Sequence, residues 1–352
     1  MMSLGYLRIT AGDYALDVSD DGRFVAIGVG GDNLQRSDTS LFLLLNQNLY
    51  FSGVSAKVSQ WTSQIRFVSN DYGFLVARSI DPGVREHENW PVVPASLERF
   101  GLDGSREVVV DSLPAEITSL SVSPDRQLAA VGIGKTDRNG KWDASVRVYS
   151  LKDGALVSEF APPNVVKFEV AFTNDSKRCL VVAESGDFAM MNTRDGRYDG
   201  VRAYLFSASD GAIVQEQKIC NNTRALHQLI CSPGTGDAFV AFDGEIGRFA
   251  LADNEFTYET FQTVGAFHSG MRPQWMDYNA ATGRLAVGES YAGTYDVNAT
   301  WFMDVKSRKK FRTCIDGAGH LRFSRDGEWF YVLGGGISVF NMRDLDRLER
   351  CM

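Results

Sequence analysis

"LRFSRDGEWFYVLGGGISVFNM" runs from Leu321 to Met342. Apolar and polar residues alternate into the turn-forming cluster Ser-Arg-Asp-Gly. A second apolar run follows, three glycines break it, and a third begins. Period-two alternation on both sides of a turn cluster is the signature of a β-hairpin. The same plan occurs six more times: "YALDVSDDGRFVAIGVG" from Tyr14, "IRFVSNDYGFLVARS" from Ile65, "ITSLSVSPDRQLAAVGIG" from Ile117, "FEVAFTNDSKRCLVVAES" from Phe168, "HQLICSPGTGDAFVAFDG" from His227 and "WMDYNAATGRLAVGES" from Trp275. The turn anchors are Asp21, Asp71, Asp125, Asp175, Gly234, Thr282 and Asp326. They lie between 44 residues apart (Thr282 to Asp326) and 59 apart (Asp175 to Gly234).

A second hairpin follows each first one, as in "SLERFGLDGSREVVVDSL", "SVRVYSLKDGALVSEF" and "VRAYLFSASDGAIVQEQKI". Several turn on Asp-Gly, whose residues tolerate positive φ. Each unit is therefore four strands, a to d. The units span approximately 14–60, 61–114, 115–163, 164–220, 221–264, 265–316 and 317–352. Four-stranded units at this period predict an all-β fold, a seven-bladed β-propeller of four-stranded antiparallel blades, as one domain over residues 1–352. "GYLRIT" before the first unit also reads as a strand. Residues 1–10 are expected to dock on the last unit and help close the ring, either replacing its outer strand "RLERC" or adding to it.

The stretches "SVSPDRQLAAVG" and "FSRDGEWFYVLGG", each followed by a strand of the "VRVYSLKDG" type, resemble WD-repeat and Tol-type propellers. The resemblance covers almost the whole chain and implies the fold. Propellers host scaffolds, receptors and hydrolases alike, so it does not imply an activity. The Trp-Asp dipeptide that gives WD repeats their name is absent from the c-strand ends.

Composition narrows the function classes. Hydrophobic residues are 44% and charged residues 23% of 352, as in ordinary globular proteins. No apolar run approaches the roughly 18–20 residues of a membrane helix, so no membrane insertion is expected. The net charge of −8 opposes non-specific nucleic-acid binding, which needs excess Lys and Arg. "MMSLGYLRIT" has no basic start followed by an apolar core, so no signal peptide and a cytoplasmic location are expected. The cysteines Cys179, Cys220, Cys231, Cys314 and Cys351 show no metal spacing and read as thiols of a reducing compartment.

In an up-and-down blade the a–b and c–d turns fall on one side and the b–c and d–a connections on the other. The a–b and c–d turns are short throughout. The b–c connections read as long near Gly28–Thr39, Ser79–Ala95, Gly134–Ala144, Glu184–Gly200 and Glu289–Ala299, and as tight in units five and seven. Long connections on a rigid scaffold are where function usually sits. Those here carry Arg85, Trp90, Arg138, Trp142, Met191, Arg197, Tyr198, Tyr291 and Tyr295, of residue types enriched at protein interfaces. These are the candidate partner-binding residues.

Chemical motifs fall away on inspection. "GIGKT" at Gly132–Thr136 resembles the end of a phosphate-binding loop. However, Ala129 stands where the pattern needs Gly, and no helix follows. "TDRNGKWD" at Thr136–Asp143 lacks the closing Glu of a calcium loop. No G-x-S-x-G elbow occurs. His227, His268 and His320 fall in or just after d–a connections without a shared ligand spacing, and read as structural. No cofactor, metal or catalytic residue is expected. The reading is a non-catalytic scaffold or adaptor binding a protein on the b–c side. The alternative is a lactonase-like hydrolase or small-ligand binder at the channel mouth.

Overall fold

The computed structural model describes residues 5–7, 13–30, 39–45, 50–58, 61–68, 73–79, 94–101, 103–113, 116–136, 142–162, 165–186, 198–220, 226–232, 234–252, 254–263, 271–291, 294–316, 319–333 and 337–344. Strands dominate. β1 (Gly5–Leu7) stands before the first repeat, which is β2 (Asp13–Val18), β3 (Phe24–Gly30), β4 (Thr39–Leu45) and β5 (Tyr50–Val58). Next come β6 (Trp61–Phe67), β7 (Phe74–Ser79), β8 (Ala95–Phe100) and β9 (Arg106–Leu113). The third set is β10 (Glu116–Val122), β11 (Leu128–Thr136), β12 (Trp142–Ser150) and β13 (Leu156–Phe160). The fourth is β14 (Val165–Phe172), β15 (Arg178–Gly186), β16 (Tyr198–Ser207) and β17 (Ile213–Cys220). The fifth is β18 (Leu226–Cys231), β19 (Asp237–Phe242), β20 (Glu245–Leu251) and β21 (Phe256–Thr263). The sixth is β22 (Met271–Asn279), β23 (Arg284–Tyr291), β24 (Thr294–Asp304) and β25 (Lys310–Asp316). The chain ends its strands with β26 (His320–Phe323), β27 (Trp329–Leu333) and β28 (Ile337–Asn341).

These strands pair into four-stranded sheets in sequence order, β2 to β5 through β22 to β25, and a last sheet ordered β1-β28-β27-β26. Gly5, Tyr6 and Leu7 lie antiparallel to Val339, Ser338 and Ile337. The N-terminal strand thus takes the outer place of the last sheet. The chain after Asn341 turns helical at Met342–Asp344, and "RLERC" lies outside the described residues.

The repeated a–b turn has a local physical cause. Ser19, Ser123, Thr173 and Ser324 each donate a hydroxyl hydrogen bond to the Asp two residues on: Asp21, Asp125, Asp175 and Asp326. Each Asp in turn accepts the backbone N–H two residues further along. The residue after the Asp takes positive φ: Gly22 66°, Arg126 61°, Ser176 60° and Gly327 72°. Asp therefore anchors these turns by making a local hydrogen-bonded bend. In the fifth sheet Gly234 replaces the Asp, and the Ser232 hydroxyl, 1% exposed, has no hydrogen-bond partner.

The chain divides into two compact units. One comprises residues 1–93, 98–107 and 264–352; the other comprises residues 94–97 and 108–263. In the first, the a strands β22, β26, β2 and β6 are successive neighbours; in the second, β10, β14 and β18 are. The core lies between facing sheets. Leu16, Val18, Val25 and Ile27 pack on Tyr331, Leu333, Ile337 and Val339 in the first unit. In the second unit Phe160 stacks on Phe206 at 5.1 Å inside a similar cluster. Strands covered on both faces read as unbroken apolar runs: Phe74 to Ala77 and Leu180 to Ala183 are all fully buried. Outer strands alternate instead, as in Leu156–Phe160.

Candidate functional site

The inner hairpins β11–β12, β15–β16 and β23–β24 are long because their pairing continues to the b–c end. It reaches Thr136 with Trp142, Gly186 with Tyr198 and Tyr291 with Thr294. Among the described residues their outer partners stop short. β13 pairs with β12 only from Val146, β17 with β16 from Val201, and β25 with β24 from Ala299. The inner partners reach further: β10 pairs with β11 to Gly134, β14 with β15 to Ser185 and β22 with β23 to Tyr291, so it is on their outer side that these hairpins are left uncovered.

This corrects part of the sequence reading. Trp142 opens β12, Tyr198 opens β16, Tyr291 closes β23 and Tyr295 is the second residue of β24. All four were expected in loops. Aromatic residues favour strands, and cross-strand pairing carries them along. Only residues 292–293 separate β23 from β24 where a long connection was expected. Arg85, Trp90, Arg138, Met191 and Arg197 lie outside the described residues.

At the same end of the second unit, polar side chains converge on the start of β18. Lys167 Nζ donates to the Leu226 carbonyl at 2.5 Å, and the Leu226 N–H donates to the Glu184 carboxylate. Burial raises the Glu184 carboxyl above its usual range, opposed by the Leu226 N–H and by Lys167 and His227. His227 Nε2 lies 2.7 Å from Asp243 Oδ1. Lys167 and Glu184 are thus spent on main-chain groups and clamp β18 against β14 and β15. Among the described residues no three His, Cys, Asp or Glu side chains are grouped to hold a metal. His268 lies outside the described residues.

In the first unit, each a strand carries a charge just before its last apolar residue: Asp277 on β22, Arg322 on β26, Asp17 on β2 and Arg66 on β6. Arg322 Nε donates to Asp17 Oδ1 at 3.1 Å, and its Nη1 is 3.9 Å from Asp277 Oδ1. Asp17 accepts the Phe67 N–H and Asp277 accepts the Phe323 N–H, so each carboxylate ties its own strand to the next. This charge pattern is visible in "ALDV", "IRF", "MDY" and "LRF", but only strand pairing brings those positions together.

Two groups in this cluster titrate abnormally. Burial raises the Asp277 carboxyl to about 6; Arg322 and the Phe323 N–H oppose that shift, and Asp17 adds to it. Burial lowers His320 to about 3, helped by Arg322 and Arg66. The folded state holds the Asp277 proton more tightly, so this group adds stability as pH falls through about 6, and that stability is lost as pH rises again. The His320 shift has the opposite sense: its contribution is present above the ordinary histidine range and is lost as pH falls towards about 3. Between about pH 6 and pH 4 the two oppose each other, each at up to about 1.4 kcal/mol per pH unit. Asp277→Asn is therefore expected to lose stability on acidification from about pH 7 to about pH 5, while His320→Gln gains it, relative to wild type. Urea denaturation across that range measures both. Parallel profiles for all three proteins would contradict the assignment.

Compared by sequence, no family model and no curated protein matches the chain. Compared by structure, 1104 solved chains match, so common an architecture that it cannot identify an activity. Among them is the crystal structure of the β-propeller domain of Myceliophteria thermophila Cps50 (Swd1). It has a TM-score of 0.66 at 13% sequence identity, covering 96% of this chain and 99% of that one. At that identity the likeness shows the fold alone. The chain is an all-β propeller of four-stranded antiparallel blades, and its fold-level resemblance to repeat propellers stands.

Proposed function

We propose that the sheets form one seven-bladed ring, a single domain over residues 1–352, and that the chain is a non-catalytic scaffold or adaptor. Its protein partner binds on the side carrying the b–c connections. The observation that carries this reading is the projection of β11–β12, β15–β16 and β23–β24 past their outer strands. Projecting hairpins on a rigid frame present side chains to a partner without disturbing the core. Arg85, Trp90, Arg138, Trp142, Met191, Arg197, Tyr198, Tyr291 and Tyr295 supply the anchoring residue types. The lactonase-like alternative is less supported, because Lys167 and Glu184 are engaged with the Leu226 main chain. Cytoplasmic placement belongs to the same reading, carried by five sparse cysteines without metal or paired spacing.

The test is recovery of a specific partner from the native host, followed by binding measurements on variants. Trp142→Ala and Tyr198→Ala are expected to weaken the complex by about 2 kcal/mol each. Arg325→Ala, in an exposed a–b turn, serves as the control and should leave binding unchanged. Binding lost with Arg325→Ala and kept in the other two would place the partner on the opposite side.

A further inference from the structure

All the large apolar side chains left exposed among the described residues fall in the second unit: Val108, Leu156, Val157, Ile213 and Val214. Leu156 is 51% and Ile213 55% exposed. Each stands near the start of an outer strand, β9, β13 or β17. Those starts are laid side by side. Gly154, two residues before Leu156, sits so close to the Val109 carbonyl that an added Cβ would fall 1.9 Å from its oxygen. Gly211, two residues before Ile213, meets the Glu159 carbonyl in the same way at 2.5 Å. The turn before β13 thus rests on the main chain of β9 and the turn before β17 on that of β13, which places the five side chains in a stepped series on three successive outer strands. Outer strands are normally blunted by charge, and a contiguous exposed apolar row marks an interaction surface.

The charges around the row indicate its occupant. Glu159 pairs with Arg147 and Glu216 with Arg202. Asp111, Asp153, Asp210, Lys152 and Lys218 are exposed on the same segments. Hydrogen bonds from Ser150 and the Ala155 N–H, and from Ser207 and the Ala212 N–H, hold Asp153 and Asp210 below the usual carboxylate range, so both stay ionised. With Asp103, Glu107, Arg99 and Arg106 of the β8–β9 hairpin added, seven acids stand against six bases, so this band is nearly neutral within a chain of net charge −8. Two copies of a chain of net charge −8 repel each other on average, and a nearly neutral band would let them approach with less of that cost. Because acids and bases are interleaved there, a two-fold arrangement can set lysines against carboxylates, whereas a partner of one sign would leave the other sign unmatched. We propose that this row is a self-association surface through which a second copy of the chain docks as a two-fold homodimer.

Sedimentation velocity on the full chain, from nanomolar to high micromolar concentration, tests the proposal. Wild type is expected to show a monomer–dimer equilibrium. Leu156→Ser with Ile213→Ser should raise its dissociation constant by at least about tenfold, as loss of central apolar anchors does. Both positions are exposed, so the thermal midpoint should hold; Val157→Thr with Val214→Thr, which keeps branching and volume, gives a second variant should the first unfold. A wild-type chain that stays monomeric throughout, or a dimer that neither variant weakens, overturns the proposal.

Discussion

Gly154→Ala is expected to destabilise the protein by more than about 3 kcal/mol, because two separate costs meet at one residue. Gly154 has φ of 69°, where any other L-residue is strained by roughly 1 kcal/mol. Its Cβ would also fall 1.9 Å from the Val109 oxygen and 3.1 Å from the Val109 carbonyl carbon. The turn cannot slide away cheaply, since the Gly154 N–H donates to the Ser150 carbonyl at 2.9 Å and the Ser150 N–H to Ala155. Gly283 isolates the first cost: φ is 67° and nothing lies within 4 Å of the added atom. Gly211, at 2.5 Å from the Glu159 oxygen, is intermediate. Urea denaturation should rank Gly154→Ala above Gly211→Ala and that above Gly283→Ala. Equal costs at Gly154 and Gly283 would show that the neighbouring strand yields freely.

Glu98→Ala is the second large effect. Glu98 is 1% exposed and holds two arginines from adjacent strands. Arg78 Nη1 donates to Oε1, and Arg106 grips both oxygens through Nε at 2.7 Å and Nη2 at 2.8 Å. Removing the carboxylate takes from the Arg78 side chain, 8% exposed, its buried carboxylate partner; breaking a buried pair from one side costs up to about 3–5 kcal/mol. The Arg106 side chain is 46% exposed and can turn to water. Replacing both Arg78 and Glu98 by apolar residues of similar volume should recover much of the loss, because the burial penalty goes with the charges. The exposed pair Arg99–Glu107, at 3.4 Å, gives the contrast: Glu107→Ala should cost under about 1 kcal/mol. A Glu98→Ala protein as stable as Glu107→Ala would contradict this assignment.

The hairpin plan was legible because it is local. Alternation, the Asp-anchored turn and the Asp-Gly turns each act within a few residues, and every first hairpin read from the sequence is present as paired strands. The N-terminal strand was legible too: residues 1–10 were expected on the last unit, and Gly5, Tyr6 and Leu7 pair there with Val339, Ser338 and Ile337. Two features were not legible, each for a nonlocal reason. Trp142, Tyr198, Tyr291 and Tyr295 stand among Gly, Asp and Asn, which locally favour loops; strand pairing overrides that preference. The cluster of Asp17, Arg322 and Asp277 draws one residue from each of three sheets, so its charges look like ordinary polar positions of separate strands. The candidate site was legible only as an end of the sheets, with Trp142, Tyr198, Tyr291 and Tyr295 assigned to the wrong kind of segment.

The proposed ring has seven blades, with the N-terminal strand completing the last. A diffraction structure of the full chain in crystals is the direct test. Seven four-stranded sheets about one axis are expected, with β1 bonded to β28 and the long inner hairpins all on one side. A ring of six or eight blades, or two separate domains, would contradict it.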